Sequence, residues 1–186
     1  MKRFILPLVL ALVIVLGAIP PSRAVSEADY NYYIEKYLKV FTNLTAAEVL
    51  TVIDAESGFN EKLVVDEPNV NDQSWGPMCV RGKTSRLMKF KGELEQLCTW
   101  EYGLYYGMKY LNWSKEKALK SSKNPEIIRK RTWAGYNAGH YYIVHKPDGT
   151  WAYVNEGYVT KCERLYSKYS ELTIVKKLMA INEDNS

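Results

Sequence analysis

The chain reads as a mainly α domain with one small β-hairpin, and three observations carry that reading. Apolar side chains recur at helical spacing along several stretches, for example Ile34, Tyr37 and Leu38, then Leu104, Met108 and Leu111. Cap signals stand in front of such stretches: Thr45 with Glu48 makes a capping box, and Asn124-Pro125 offers a cap followed by Pro at the first helical position. After residue 140 the period changes to two. Tyr141–His145 and Thr150–Val154 are β-type runs joined by Lys146-Pro147-Asp148-Gly149, which reads as a hairpin turned at Pro-Asp-Gly.

Taken in order, residues 1–24 read as a signal peptide. Lys2 and Arg3 precede an apolar run from Phe4 to Ile19, Pro20-Pro21 stop it, and Ser22-Arg23-Ala24 offers small residues where a signal peptidase reads. The run is shorter than the ~20 residues that span a bilayer comfortably, so an uncleaved anchor is the weaker alternative. The protein is therefore expected to be exported, to a periplasm or beyond. Cleavage removes three of the 25 basic residues and no acid, leaving 22 against 21 acidic residues, or about +1. No basic stripe stands out, which argues against a nucleic-acid partner.

The remaining chain suits one domain, placed at 25–170, with a C-terminal helical extension and frayed tail at 171–186. Ser26–Phe41 is a first helix with Ser26 as its cap. A second runs from Thr45 toward Gly58. Val64–Gly76, rich in Asn, Asp and Pro, reads as a loop. Thr84–Phe90 gives a short helix. Trp100–Trp113 has the strongest helical pattern, and its two glycines, Gly103 and Gly107, lie on one face. Each costs about 1 kcal/mol against Ala, which close packing against another helix would offset. A helix from Asn124 leads into Tyr136-Asn137, and a last one carries Tyr158-Val159 to about Tyr169.

Glu56 is the residue with the clearest chemistry. It sits in the last turn of an apolar helix that Gly58 can end in a left-handed conformation. The helix dipole disfavours an anion there, and Val52, Ile53 and Phe59 desolvate it. Both effects raise its pKa, as a general acid for glycoside cleavage requires. Asp54, two residues away, points to another face. Asp66 and Asp72 remain candidates for a second carboxylate.

Four ordered blocks extend this reading: Glu56-Ser57-Gly58-Phe59, then Ser74-Trp75-Gly76-Pro77-Met78-Cys79, then Ala134-Gly135-Tyr136-Asn137-Ala138-Gly139, then Tyr158-Val159. Together, over residues 44–165, they resemble the soluble lytic transglycosylase domain. Leu97–Leu111, with its Gly-x-x-Tyr-Leu helix, is similar to a further family segment. The resemblance implies a lysozyme-like fold of the goose-type lysozyme and lytic transglycosylase kind, and a peptidoglycan glycan strand as substrate. Glu56 would protonate the oxygen between N-acetylmuramic acid and N-acetylglucosamine. It would then accept the proton of the muramic acid C6 hydroxyl as that oxygen closes onto C1, leaving a 1,6-anhydro end. No cofactor and no second carboxylate are implied. Ser74, Met78, Tyr136, Asn137 and Tyr158 carry over as substrate-binding residues, with a Tyr hydroxyl expected to hold the carboxyl in its protonated form.

Trp151 and Tyr153, on the expected hairpin, could stack on sugar faces, with one hairpin face forming a wall of the glycan groove. The chain departs from the family where Cys79 stands in place of a Gln. The alternatives are a hydrolytic muramidase using Glu56 with Asp66 or Asp72, and a non-catalytic glycan-binding scaffold with a degenerate cleft. A monomer is expected, with a secretion, conjugation or appendage-assembly machinery as a possible partner. Cys79, Cys98 and Cys162 are odd in number, so at most one internal bridge forms. They lack the close spacing of a zinc site, and no metal is expected.

Overall fold

The computed structural model describes residues 27–139, 143–147 and 151–172. The leader, the Ser26 cap and the tail beyond residue 172 lie outside them.

The capping box does what its sequence dictates. The Thr45 hydroxyl accepts the Glu48 N–H, the Glu48 carboxylate accepts the Thr45 N–H at 2.8 Å, and helix α2 (Ala46–Ser57) starts there. Gly58 ends it in the left-handed region at φ 59°. α2 is buried almost all round, from Ala46 through Ile53 and again at Ala55, because it is wrapped by other helices. It packs against α6 (Glu156–Ser170) and α1 (Glu27–Leu38). The long α4 (Trp100–Ser121) carries α1 on one flank and α5 (Pro125–Ala138) on another, and α5 also meets α6. α5 begins at Pro125 because the Asn124 side chain accepts the N–H groups of Glu126 and Ile127. α4 runs eight residues past the expected Trp113, since Ser114 and Ala118 continue its buried stripe.

Among the described residues the molecule is mainly helical with two small antiparallel sheets, and one of these corrects the sequence reading. The segment expected to be a loop at 64–76 is a hairpin: β1 (Val64–Glu67) pairs with β2 (Asp72–Trp75), and β2 with β3 (Val80–Arg81). A 3-10 turn at Pro68–Val70, closed by Asn71 at φ 46°, reverses the chain. In the register, Val65 faces Ser74 and Glu67 faces Asp72, so Glu67 and Ser74 share one face and Asp66 takes the other. Polar residues concealed this strand pair because both its strands are short and partly exposed. The short α3 (Gly82–Leu87) starts two residues earlier than expected, where the Asp72 carboxylate accepts the Lys83 N–H at 3.0 Å. The expected hairpin is present as β4 (Ile143–His145) and β5 (Trp151–Tyr153), with Val144 opposite Ala152.

The α4 glycines accommodate a loop rather than another helix. A Cβ on Gly103 would stand 2.4 Å from the Leu97 carbonyl oxygen and 2.5 Å from the Pro77 ring, and one on Gly107 would meet Met78. Gly76, at φ 77°, leaves only 1.9 Å between a would-be Cβ and the Leu97 oxygen. The 76–79 loop is thus bedded on the glycine face of α4, and this fixes one wall of the site.

Candidate active site

Glu56 projects from the end of α2 into a cavity of about 120 Å3. The 76–79 loop is pinned to that helix end. Ser57 donates its hydroxyl proton toward Pro77 O at 2.8 Å, and the Cys79 thiol reaches Glu56 O at 3.5 Å. From the other side, Lys161 of α6 donates to Ala55 O at 2.6 Å. Burial pushes the Glu56 carboxyl up to about 7, and the negative charge of Glu67 adds to the effect. Three groups oppose it: the Tyr158 hydroxyl, which donates to Glu56 Oε1 at 2.6 Å, the Lys161 ammonium, and Arg81. Desolvation wins, so the carboxyl can keep a transferable proton near neutral pH.

The structure brings Glu56, Ser74, Tyr136 and Asn137 to this one cavity, together with Glu67, Cys79 and Arg81. Their roles differ in part from those expected. The tyrosine that touches the carboxyl is Tyr158; Tyr136 instead donates to Met78 O at 2.6 Å, fixing the loop. A donating hydroxyl favours the ionised carboxylate, so Tyr158 tempers the pKa of Glu56 rather than raising it. Met78 cannot bind substrate through its side chain, which is fully buried against Gly107; what it offers is its carbonyl, to Tyr136. Asn137 accepts from Asn155 Nδ2, and Asn155 caps α6 by accepting the Tyr158 N–H. One side chain on the cavity wall thereby helps to place the tyrosine that holds Glu56.

Ser74 is buried and donates to Glu67 Oε1 at 2.9 Å. Arg81 Nη2 lies 3.6 Å from the other Glu67 oxygen. Glu67 is the residue that sequence reasoning missed. The available signal was strand alternation: once 64–67 and 72–75 are paired, the face that holds Ser74 also holds Glu67. Asp66 and Asp72, the expected candidates, do not line the cavity. Asp66 accepts from Gln73 Nε2 at 2.7 Å on the opposite face, and Asp72 is engaged by the N–H groups of Gln73 and Lys83.

All three cysteines are free thiols, so the bridge permitted by the sequence is not formed. Burial pushes the Cys79 thiol up to about 12, which leaves it neutral and a poor nucleophile. Tyr153 is half-buried and does not line the cavity; the side chain of Trp151 lies outside the described residues. No protein-family model, no curated protein and no solved structure matches the chain.

Proposed function

We propose that the protein is an exported peptidoglycan lytic transglycosylase of lysozyme-like fold, with Glu56 as its general acid and base. The observation that carries this reading is the desolvated Glu56 carboxyl, pushed up to about 7 at a cavity wall. Such a group holds a proton to give and can take one back, which is what cleavage with internal ring closure asks of a single residue. Ser74, Tyr136 and Asn137 line the cavity beside Glu56, and Tyr158 donates to its carboxyl, which supports the resemblance read from the sequence.

In the proposed reaction Glu56 protonates the bridging oxygen while the C1–O bond of the N-acetylmuramic acid breaks. The C6 hydroxyl oxygen then bonds C1 and returns its proton to Glu56. Water is not consumed. The hydrolytic alternative with Asp66 or Asp72 gains no support, because both carboxylates are engaged away from the cavity. The β4–β5 hairpin follows directly after Asn137–Gly139 in the chain, and we place it as an outer wall of the glycan groove. A role in local wall clearance for a secretion, conjugation or appendage machinery fits an exported enzyme of this kind.

The test is product analysis by mass spectrometry. Mature protein incubated with peptidoglycan sacculi should release 1,6-anhydromuramyl products, and Glu56→Gln should lower turnover by at least a thousandfold with its circular dichroism unchanged. Reducing-end products alone would replace the lytic reading with hydrolysis. Sacculus binding without any release would leave a glycan-binding protein.

A further inference from the structure

We propose that Glu67 is a second catalytic residue of this cavity, its carboxylate facing the sugar ring and stabilising the positive charge that builds at the anomeric carbon. This rests on the lytic reading above.

Glu67 and Glu56 line one cavity from opposite sources, the hairpin and the end of α2. Glu67 is not a chance surface acid. The Ser74 hydroxyl and the Arg81 guanidinium hold its two oxygens separately, at 2.9 and 3.6 Å. A hydrogen bond from one strand and an ion pair from its neighbour fix the direction in which the carboxylate points. The Ser74 hydroxyl, expected from the resemblance to bind substrate, is committed to Glu67 instead. The two carboxyls also live in different surroundings. The half-buried Glu56 is pushed up to about 7 by desolvation, while Glu67 stands beside a cation and a hydroxyl donor. A proton donor with a second, fixed carboxylate beside it in one cavity is the division of labour that glycoside cleavage exploits.

The electron accounting is simple. Glu56 gives its proton to the bridging oxygen as the C1–O bond breaks, and the leaving sugar departs as an alcohol. C1 is left electron-deficient. Glu67 forms no bond and moves no proton; its charge lowers the energy of that cation until the C6 oxygen bonds C1 and its proton returns to Glu56. A preorganised charge of this type is worth about a hundredfold or more in rate.

The experiment compares Glu67→Gln with the parent on sacculi, recording kcat, KM, the pH profile and the melting temperature. The expected result is a loss of about a hundredfold in kcat with KM changed by less than about threefold and 1,6-anhydro products retained. The pH profile separates this from a scaffolding role. Glu56 is faced by Glu67 and Arg81 from the hairpin and β3, by Lys161 and Tyr158 from α6, by Tyr136 from α5 and by Cys79 from the loop. Among these, Glu67 holds the Glu56 pKa up, so its neutralisation should move the alkaline limb of kcat/KM to lower pH. Should Glu67→Gln fold poorly, Glu67→Asp keeps the charge but withdraws it by one methylene, and should lose at least tenfold in kcat. A kcat within threefold of the parent in either folded variant overturns the proposal, as does a rise in KM alone. A parent that releases nothing sinks the proposed function and this role with it; an active parent matched by an equally active Glu67→Gln sinks only the role of Glu67.

Discussion

At the scale of single residues, Glu56 shows how one environment couples stability to chemistry. Its carboxyl ionises near 4.5 in an unfolded chain and at about 7 in the fold, because burial penalises the charged form. A raised folded value means that the protonated carboxyl is the comfortable one. Its contribution is intact below pH 4.5 and is lost as pH rises toward and through 7, at a cost of roughly 3 kcal/mol when ionisation is complete. Glu56→Gln removes that liability. Urea denaturation of parent and variant should give similar stabilities at pH 4, and the variant should gain by roughly 2–3 kcal/mol at pH 8. Equal stabilities across the range would mean that the carboxyl is not desolvated. The same protonation sets the expected pH profile of activity, in which kcat/KM falls above about pH 7 as the acid is lost.

At the scale of elements, the site depends on how closely the 76–79 loop can lie on α4. Alanine is the better helix former, so on propensity alone Gly103→Ala would stabilise α4 by about 1 kcal/mol. The contact geometry predicts the reverse. The new Cβ would press on the Leu97 backbone oxygen at 2.4 Å and on the Pro77 ring at 2.5 Å, and neither is the free end of a flexible side chain. Gly103→Ala should therefore cost about 1–3 kcal/mol in urea denaturation, as overpacking does. It should also lower activity, because Ser57 and Cys79 tie the displaced loop to the helix end that bears Glu56. A stabilised and fully active variant would show that the loop is not seated as described.

Across the whole molecule, a buried ion pair joins α2 to α4. Lys115 of α4 reaches both carboxylate oxygens of Glu48 at 2.7 Å, and Glu48 is 1 % exposed. Glu48 also accepts from Thr45, so the cap of α2 and the docking of α4 share one carboxylate. Lys115→Met leaves that charge buried without its cation and should destabilise the protein by about 3–5 kcal/mol in urea denaturation. The pair fixes the relative placement of α2 and α4, and hence of Glu56 against the loop that α4 supports. A loss below 1 kcal/mol would mean that water reaches the carboxylate once the lysine is gone.

What the sequence determined by itself was local. The start of α2 at Thr45–Glu48, its end at Gly58 with Glu56 in its last turn, the Asn124 cap and the second hairpin were all legible, because each is governed by backbone hydrogen bonding or helical period within a few residues. Only the tertiary structure decided matters that depend on groups far apart in the chain. Strand pairing between 64–67 and 72–75 turned an apparent loop into the hairpin that carries Glu67 to Ser74 and leaves Asp66 facing away. Tyr136 and Tyr158 were alike as candidates in the sequence; helix packing gave the Glu56 carboxyl to Tyr158 and the Met78 carbonyl to Tyr136. Met78 read as a substrate contact until packing sealed it beneath Gly107. The physical reason is the same in each case: a side chain's partner is chosen by which surfaces the core brings together, and no local pattern records that choice.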